Sequence, residues 1–232
     1  MSDSANVRQY FTRAAVSFDS LYEEKVNFQA RFINRRFRRD IYERFLLSID
    51  HVRKFSLKSI LDVGCGSGRY AVALAQLGVK RIVGLDISEG MIALARSRVA
   101  REWHSDSIFE FVRGDFMQFK SNETFQLVLA MGVFDYVRDP LPVLQRMGSL
   151  ATHTVIASFP SISWYRTPIP KIRYLFKRCP VYFYQRSEIE AFGEMLGFAQ
   201  TDVHKIEGAG QDYFVAFYKP DAGHGEKIRL RG

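Results

Sequence analysis

The sequence predicts an α/β fold built on a mostly parallel sheet, and three observations lead there. Between residues 58 and 159, short apolar runs rich in Val, Ile, Leu and Phe alternate with stretches of helical spacing. The first run climbs into a glycine-rich turn, ILDVGCGSGRY at 60–70. The second and third runs each end on an aspartate, in VGLD and VRGD. Strand, helix, strand at this interval is what a sheet covered by helices on both faces requires.

The elements follow in order. Residues 1–54 read as an N-terminal helical cap, because Phe28, the adjacent Phe32 and Ile33, Phe37, Ile41, Phe45 and Ile49 recur at helical spacing with arginines between them. SILDVG, RIVGLD, IFEFVRGD, FQLVLAM and HTVIASF read as buried strands, and RYAVALAQLG and SEGMIALARSRVAREW as the helices that follow the first two. After Phe159 the pattern changes to a basic and aromatic insert at 160–186, followed by a helix in SEIEAFGEMLG. Two last strands, AQTDVHKIE and DYFVAFYK, are joined by the turn formers Gly208, Ala209 and Gly210 and form an antiparallel hairpin. The main domain therefore spans 55–219, and residues 220–232 read as a flexible tail.

Composition narrows the classes. At 232 residues and 47% hydrophobic content the chain fills one sizeable core. MSDSANVRQY carries no basic segment leading into an apolar one, and two cysteines, Cys65 and Cys179, make no disulfide framework, so a cytoplasmic protein is expected. The five histidines show no close pairing with one another or with a cysteine, and no metal is expected. A net charge of +8 admits nucleic acid, an anionic membrane surface or an acidic small molecule as partners. Its distribution is uneven: from Pro140 to Ser187 there are seven Arg or Lys and no Asp or Glu.

The glycine turn decides the ligand class. Glycines after the first strand let backbone amides approach a ligand closely. The dinucleotide fingerprint wants its third glycine where Arg69 stands, and the absence of a GK[ST] ending excludes a P-loop. What remains is Gly64, Gly66 and Gly68 in a G-x-G-x-G run, with Asp62 two residues ahead. Each acid has a structural alternative: Asp86 as a helix cap, although Ser88 is the better one, and Asp115 as a turn residue after Gly114.

DVGCGSG resembles the first motif of the class I S-adenosylmethionine-dependent methyltransferases, and the resemblance runs through about 100 residues. It implies a Rossmann-like seven-stranded sheet and S-adenosyl-L-methionine as cofactor. It places Asp86, 18 residues beyond Gly68, on the ribose hydroxyls. Asp62 and the turn Gly64, Cys65, Gly66, Gly68 fall at the methionine end. Asp115 and Phe116 fall beside the adenine, with Ile87 and Met91 against its face, and Met131 after the fourth strand. In AMGVFDYVRDP, Asp135 and Tyr136 stand where small-molecule methyltransferases often have an acid and a histidine. They are the candidate catalytic pair, and their structural alternatives are a cap and a core edge.

The N-terminal pattern YFTRAAVSFDSLYEE is similar to the cover of magnesium-porphyrin and quinone-ring methyltransferases, which puts Tyr10 over the acceptor. In the insert, aromatic residues such as Trp164 and Tyr165 alternate with cations such as Arg173 and Lys177. That mixture suits an anionic or amphiphilic small acceptor, and the alternative is a short helix with a solvated basic face. Peripheral membrane contact stays open, as does the oligomeric state. An RNA or protein acceptor is the rival reading, disfavoured because no separate nucleic-acid module is visible. A protein that binds the cofactor without turnover is the third.

Overall fold

The computed structural model describes residues 28–104, 107–161, 181–206, 212–220 and 222, with side chains from Ile41 onward. Seven strands form one sheet: β1 Ser59–Val63, β2 Arg81–Asp86, β3 Ile108–Arg113, β4 Phe125–Ala130, β5 Ala151–Phe159, β6 Gln200–Lys205 and β7 Tyr213–Tyr218. Their order is β3-β2-β1-β4-β5-β7-β6. Neighbours from β3 through β5 pair parallel, and β7 runs antiparallel to both β5 and β6. The closing hairpin is thus present, with β7 inserted between β5 and β6.

Helices α1 (Phe28–Phe55), α2 (Arg69–Gln76) and α3 (Glu89–Glu102) cover one face, and α4 (Pro140–Leu150) and α5 (Arg186–Met195) cover the other. Strand alternation divides the core accordingly. Ile60, Ile82, Leu127, Leu129, Ile156 and Phe214 lie with α1 to α3, while Leu61, Val63, Val83, Leu85, Val128 and Val155 lie with α4 and α5. By the same period of two, Asp62 and Asp86 stand on the face covered by α1 to α3.

Local chemistry sets the ends of these elements. Ser88 caps α3, its hydroxyl accepting the Met91 N–H at 3.4 Å. α5 opens with a reciprocal capping box between Gln185 and Glu188. α4 lies in a stretch the pattern reading passed over. Its signals were Asp139 followed by Pro140 at the first turn, and Leu144 and Met147 three apart on the buried face. No described helix is long and apolar enough to cross a membrane.

Candidate active site

In an open α/β sheet the ligand crevice lies at the carboxyl ends of the strands where the strand order reverses, here between β1 and β4. The glycine turn sits at that point. Gly64, Gly66 and Gly68 have φ of 72°, 53° and 73°, left-handed values that side chains rarely adopt. The turn is tied to its neighbours by the Gly64 and Cys65 N–H groups, which both donate to the Leu85 carbonyl at 2.7 and 3.0 Å. Arg98 of α3 donates from Nε to the Ser67 carbonyl at 2.9 Å, a support that no motif announced.

Asp86 closes the turn from the side. Its Oδ2 accepts the Gly66 N–H at 3.0 Å and its Oδ1 accepts the Ser88 N–H at 2.8 Å. Each oxygen keeps acceptor capacity for a further donor. Burial raises the Asp86 carboxyl above its usual range, and the bonds from Ser88, Gly66 and Ile87 oppose that. Asp62 is 2% exposed, and no described group bonds to its Oδ2. Burial, then the nearby Asp86 charge, push it up to about 7. Cys65 is buried, and burial followed by the charges of Asp62 and Asp86 push its thiol well up, which suits an inert side chain.

A buried carboxyl oxygen without a partner, beside a turn whose Gly66 has open space where a Cβ would stand, is a cradle waiting for a donor. This donor set fits an adenosyl amino acid: a carboxylate for two vicinal hydroxyls, backbone amides, and an acid for an ammonium group.

The family model for a methyltransferase domain matches residues 60–152. The solved magnesium protoporphyrin IX methyltransferase of Synechocystis PCC 6803 with bound S-adenosylhomocysteine superposes with a TM-score of 0.72, at 22% identity over 94% of this chain and 100% of that one. Residues 60–152 are thus similar to a methyltransferase domain, and the fold is that of the solved enzyme. Among curated relatives, the ubiquinone biosynthesis O-methyltransferase of Neisseria meningitidis serogroup C is 28% identical over 106 residues, 46% of this chain and 44% of that protein. The demethylmenaquinone methyltransferase of Bacteroides fragilis is 29% identical over 158 residues, 66% of this chain and 60% of the relative. The ribosomal protein L11 methyltransferase of Staphylococcus haemolyticus is 34% identical over 102 residues, 42% of this chain and 32% of the relative. The chain thus spans less than half the length of the first of these relatives.

The remaining candidates fall as follows. Asp115 caps a 3₁₀ turn at Phe116–Gln118, its Oδ1 accepting the Met117 N–H at 2.9 Å. Phe116 is buried on the α4 face with the Arg146 guanidinium 5.6 Å from its ring centroid, and Arg146 also bonds the Phe116 and Phe119 carbonyls. Met91 is buried, while Ile87 and Met131 are partly so. Asp135 and Tyr136 lie in a second 3₁₀ turn, Phe134–Tyr136, directly after β4. Tyr10, Trp164, Tyr165, Arg173 and Lys177 lie outside the described residues.

Sequence reasoning missed what surrounds Asp135. Arg44 of α1 donates from Nη1 to the Ser158 hydroxyl at 3.0 Å and pairs with the Asp212 carboxylate at 3.6 Å. Ser158 also accepts the Gly132 N–H at 2.8 Å. A Cβ on Gly132 would stand 3.7 Å from Asp135 Oδ2 and 3.9 Å from Arg44 Nη1. Burial, then the Asp212 charge, push the Asp135 carboxyl above the usual carboxylate range, against the opposing pull of Arg44. Arg44 lies 114 positions from Ser158 in the chain, so only the topology could have joined them.

Proposed function

We propose that this protein transfers a methyl group from S-adenosylmethionine to a small, amphiphilic, ring-bearing acceptor. One observation carries the cofactor half of that reading: Asp86 grips the glycine turn through Gly66 and Ser88 while Asp62 holds a buried, unpartnered oxygen beside it. Asp86 would hold the ribose hydroxyls, Asp62 the ammonium end, and the amides around Gly66 the carboxylate end. Asp115 stands at the adenine end with Ile87 and Met91. The cofactor supplies an electrophilic methyl on a sulfonium, and the carbon–sulfur pair stays on sulfur as the acceptor's lone pair forms the new bond.

What the chain adds is alignment and exclusion of water. The turn after β4 meets the glycine turn through Val133, and this reading puts the acceptor atom near Asp135 and Tyr136, which follow in that turn. The small-molecule reading draws support from the relatives that cover most of this chain, which are named for a quinone and a magnesium porphyrin. The basic and aromatic insert at 160–186, with Arg173 and Lys177, suits the polar end of such a molecule.

Calorimetry with S-adenosylmethionine and S-adenosylhomocysteine tests the cofactor half, and absence of binding to both overturns it. Transfer of labelled methyl into the lipid-soluble fraction of a cell extract is the expected activity. Label appearing only in RNA or protein would replace the acceptor class.

A further inference from the structure

The segment from Asp86 through helix α3 meets the glycine turn at three places. Asp86, just ahead of the helix, accepts the Gly66 N–H at 3.0 Å. Further along, Gly68 lies against the fully buried Ala95: a Cβ on Gly68 would stand 3.0 Å from the Ala95 Cβ and 3.1 Å from its Cα. Arg98 follows three residues later, on the same side of the helix, and its Nε donates to the Ser67 carbonyl at 2.9 Å. The Arg98 side chain is 14% exposed, and its Nη1 also pairs with the more open Glu102 at 3.5 Å. The small side chain of Ala95 lets the helix come close enough for the arginine to reach the turn.

Backbone freedom is what gives these contacts their weight. Gly66 and Gly68 both sit at left-handed φ, and glycine passes between left- and right-handed regions at little cost. Peptide planes on either side of Ser67 are therefore free to rotate unless something holds them. The Cys65–Gly66 plane is held by the Gly66 N–H on Asp86. The Ser67–Gly68 plane is held at both ends. Its N–H donates to the Cys65 carbonyl at 3.1 Å, and its carbonyl accepts from Arg98. A guanidinium donor that is mostly out of water makes the stronger kind of hydrogen bond.

We propose that Arg98 is a positioning residue for the amino-acid end of the cofactor: its bond keeps the Ser67 carbonyl against α3, so that the turn offers amide hydrogens and not a carbonyl oxygen to the carboxylate. This rests on the methyltransferase reading above and adds to it a residue that lies outside the turn. Without the guanidinium, the Ser67–Gly68 plane samples orientations that turn its oxygen toward the incoming carboxylate. The ligand then binds only the fraction of molecules whose turn is in place, and its apparent affinity falls by that fraction. The nucleoside end, on Asp86 and Asp115, does not depend on this plane.

The test compares two ligands by calorimetry. S-adenosylhomocysteine carries both ends, and 5′-methylthioadenosine carries the nucleoside without the amino-acid end. Arg98→Met keeps an aliphatic stem and removes the donor. It should weaken S-adenosylhomocysteine about tenfold and 5′-methylthioadenosine by no more than about twofold. Unequal losses are what a merely structural role would not produce, since a loosened α3 would carry Asp86 with it and weaken both ligands. Arg98→Lys, which keeps a charged donor, should bind S-adenosylhomocysteine within about threefold of the parent. Glu102→Gln removes the exposed ion pair, leaves the carbonyl bond in place and should bind both ligands as the parent does. Equal losses for the two ligands in Arg98→Met, or a loss in Glu102→Gln as large as that in Arg98→Met, overturns the proposal. Should Arg98→Met fail to fold, Arg98→Gln, whose shorter side chain does not reach the carbonyl, carries the same expectation. A parent protein that binds no S-adenosylhomocysteine overturns the function itself. A parent that binds it no better than Arg98→Met does overturns this proposal alone.

Discussion

A Cβ placed on Gly64 would stand 2.6 Å from Val133 Cγ2, closer than real side-chain contacts allow. The turn after β1 and the turn after β4 are therefore seated directly on one another, and the glycine is what lets them approach. Gly64 also has φ of 72°, so alanine there is strained twice over.

Gly64→Ala should destabilise the protein by about 1–3 kcal/mol and weaken S-adenosylhomocysteine binding at least tenfold. Adding Val133→Ala should recover part of the stability, since it removes the clash but not the backbone strain. Gly66→Ala is the contrasting case. A Cβ there meets nothing within 4 Å, so the main effect should be on binding, by intruding on the cradle. Chemical denaturation and calorimetry on the same variants separate the two effects.

Asp86→Asn should leave the fold in place and weaken cofactor binding by about 10- to 100-fold. It replaces charge-assisted hydrogen bonds worth roughly 1.5–3 kcal/mol with weaker ones. An unchanged dissociation constant would remove Asp86 from the site.

Asp62 and His51 should give opposite pH signatures. The folded Asp62 is raised to about 7, so between about 4 and 7 the folded protein binds more protons than the unfolded one. The stability this group contributes is present at low pH and lost as pH rises through 7. Asp62→Asn should therefore gain on the parent as pH rises, by on the order of 2–4 kcal/mol at pH 8, while losing affinity for the cofactor's ammonium end. His51 is 1% exposed beside Phe55 and Tyr218, and burial, then the charges of His153 and Lys54, push it down to about 3. Its contribution is present above about 6.5 and lost as pH falls toward 3. His51→Phe should flatten the acid side of the stability profile. Urea midpoints measured from pH 4 to 8 check both signs.

Gly193→Ala should destabilise without touching binding. Its Cβ would fall 1.9 Å from Thr201 Oγ1, where α5 lies against β6. A cost of about 1–3 kcal/mol is expected, recovered in part by Thr201→Ala.

The alternation of buried strands and amphipathic helices is local in the chain, so the α/β architecture, the closing hairpin and the position of the glycine turn could be read from residue order. The turn's chemistry was legible for the same reason: Gly64, Gly66 and Gly68 carry their backbone demands within five residues, and Asp86 ends its strand at a fixed distance from them. Asp115 shows the limit of such reading. Its place after β3 was foreseen, but its carboxyl accepts the Met117 N–H, a choice made by local turn geometry.

Helix α4 was overlooked because a short apolar run after a proline carries little periodicity to separate it from a buried strand. The order β5-β7-β6 and the meeting of Arg44, Asp135, Ser158 and Asp212 belong to another level altogether. These four residues come from distant parts of the chain, and no spacing rule relates them. Only the folding of the chain brings the Arg44 guanidinium to the Ser158 hydroxyl and the Asp212 carboxylate, because contacts between residues this far apart are set by packing and not by local sequence.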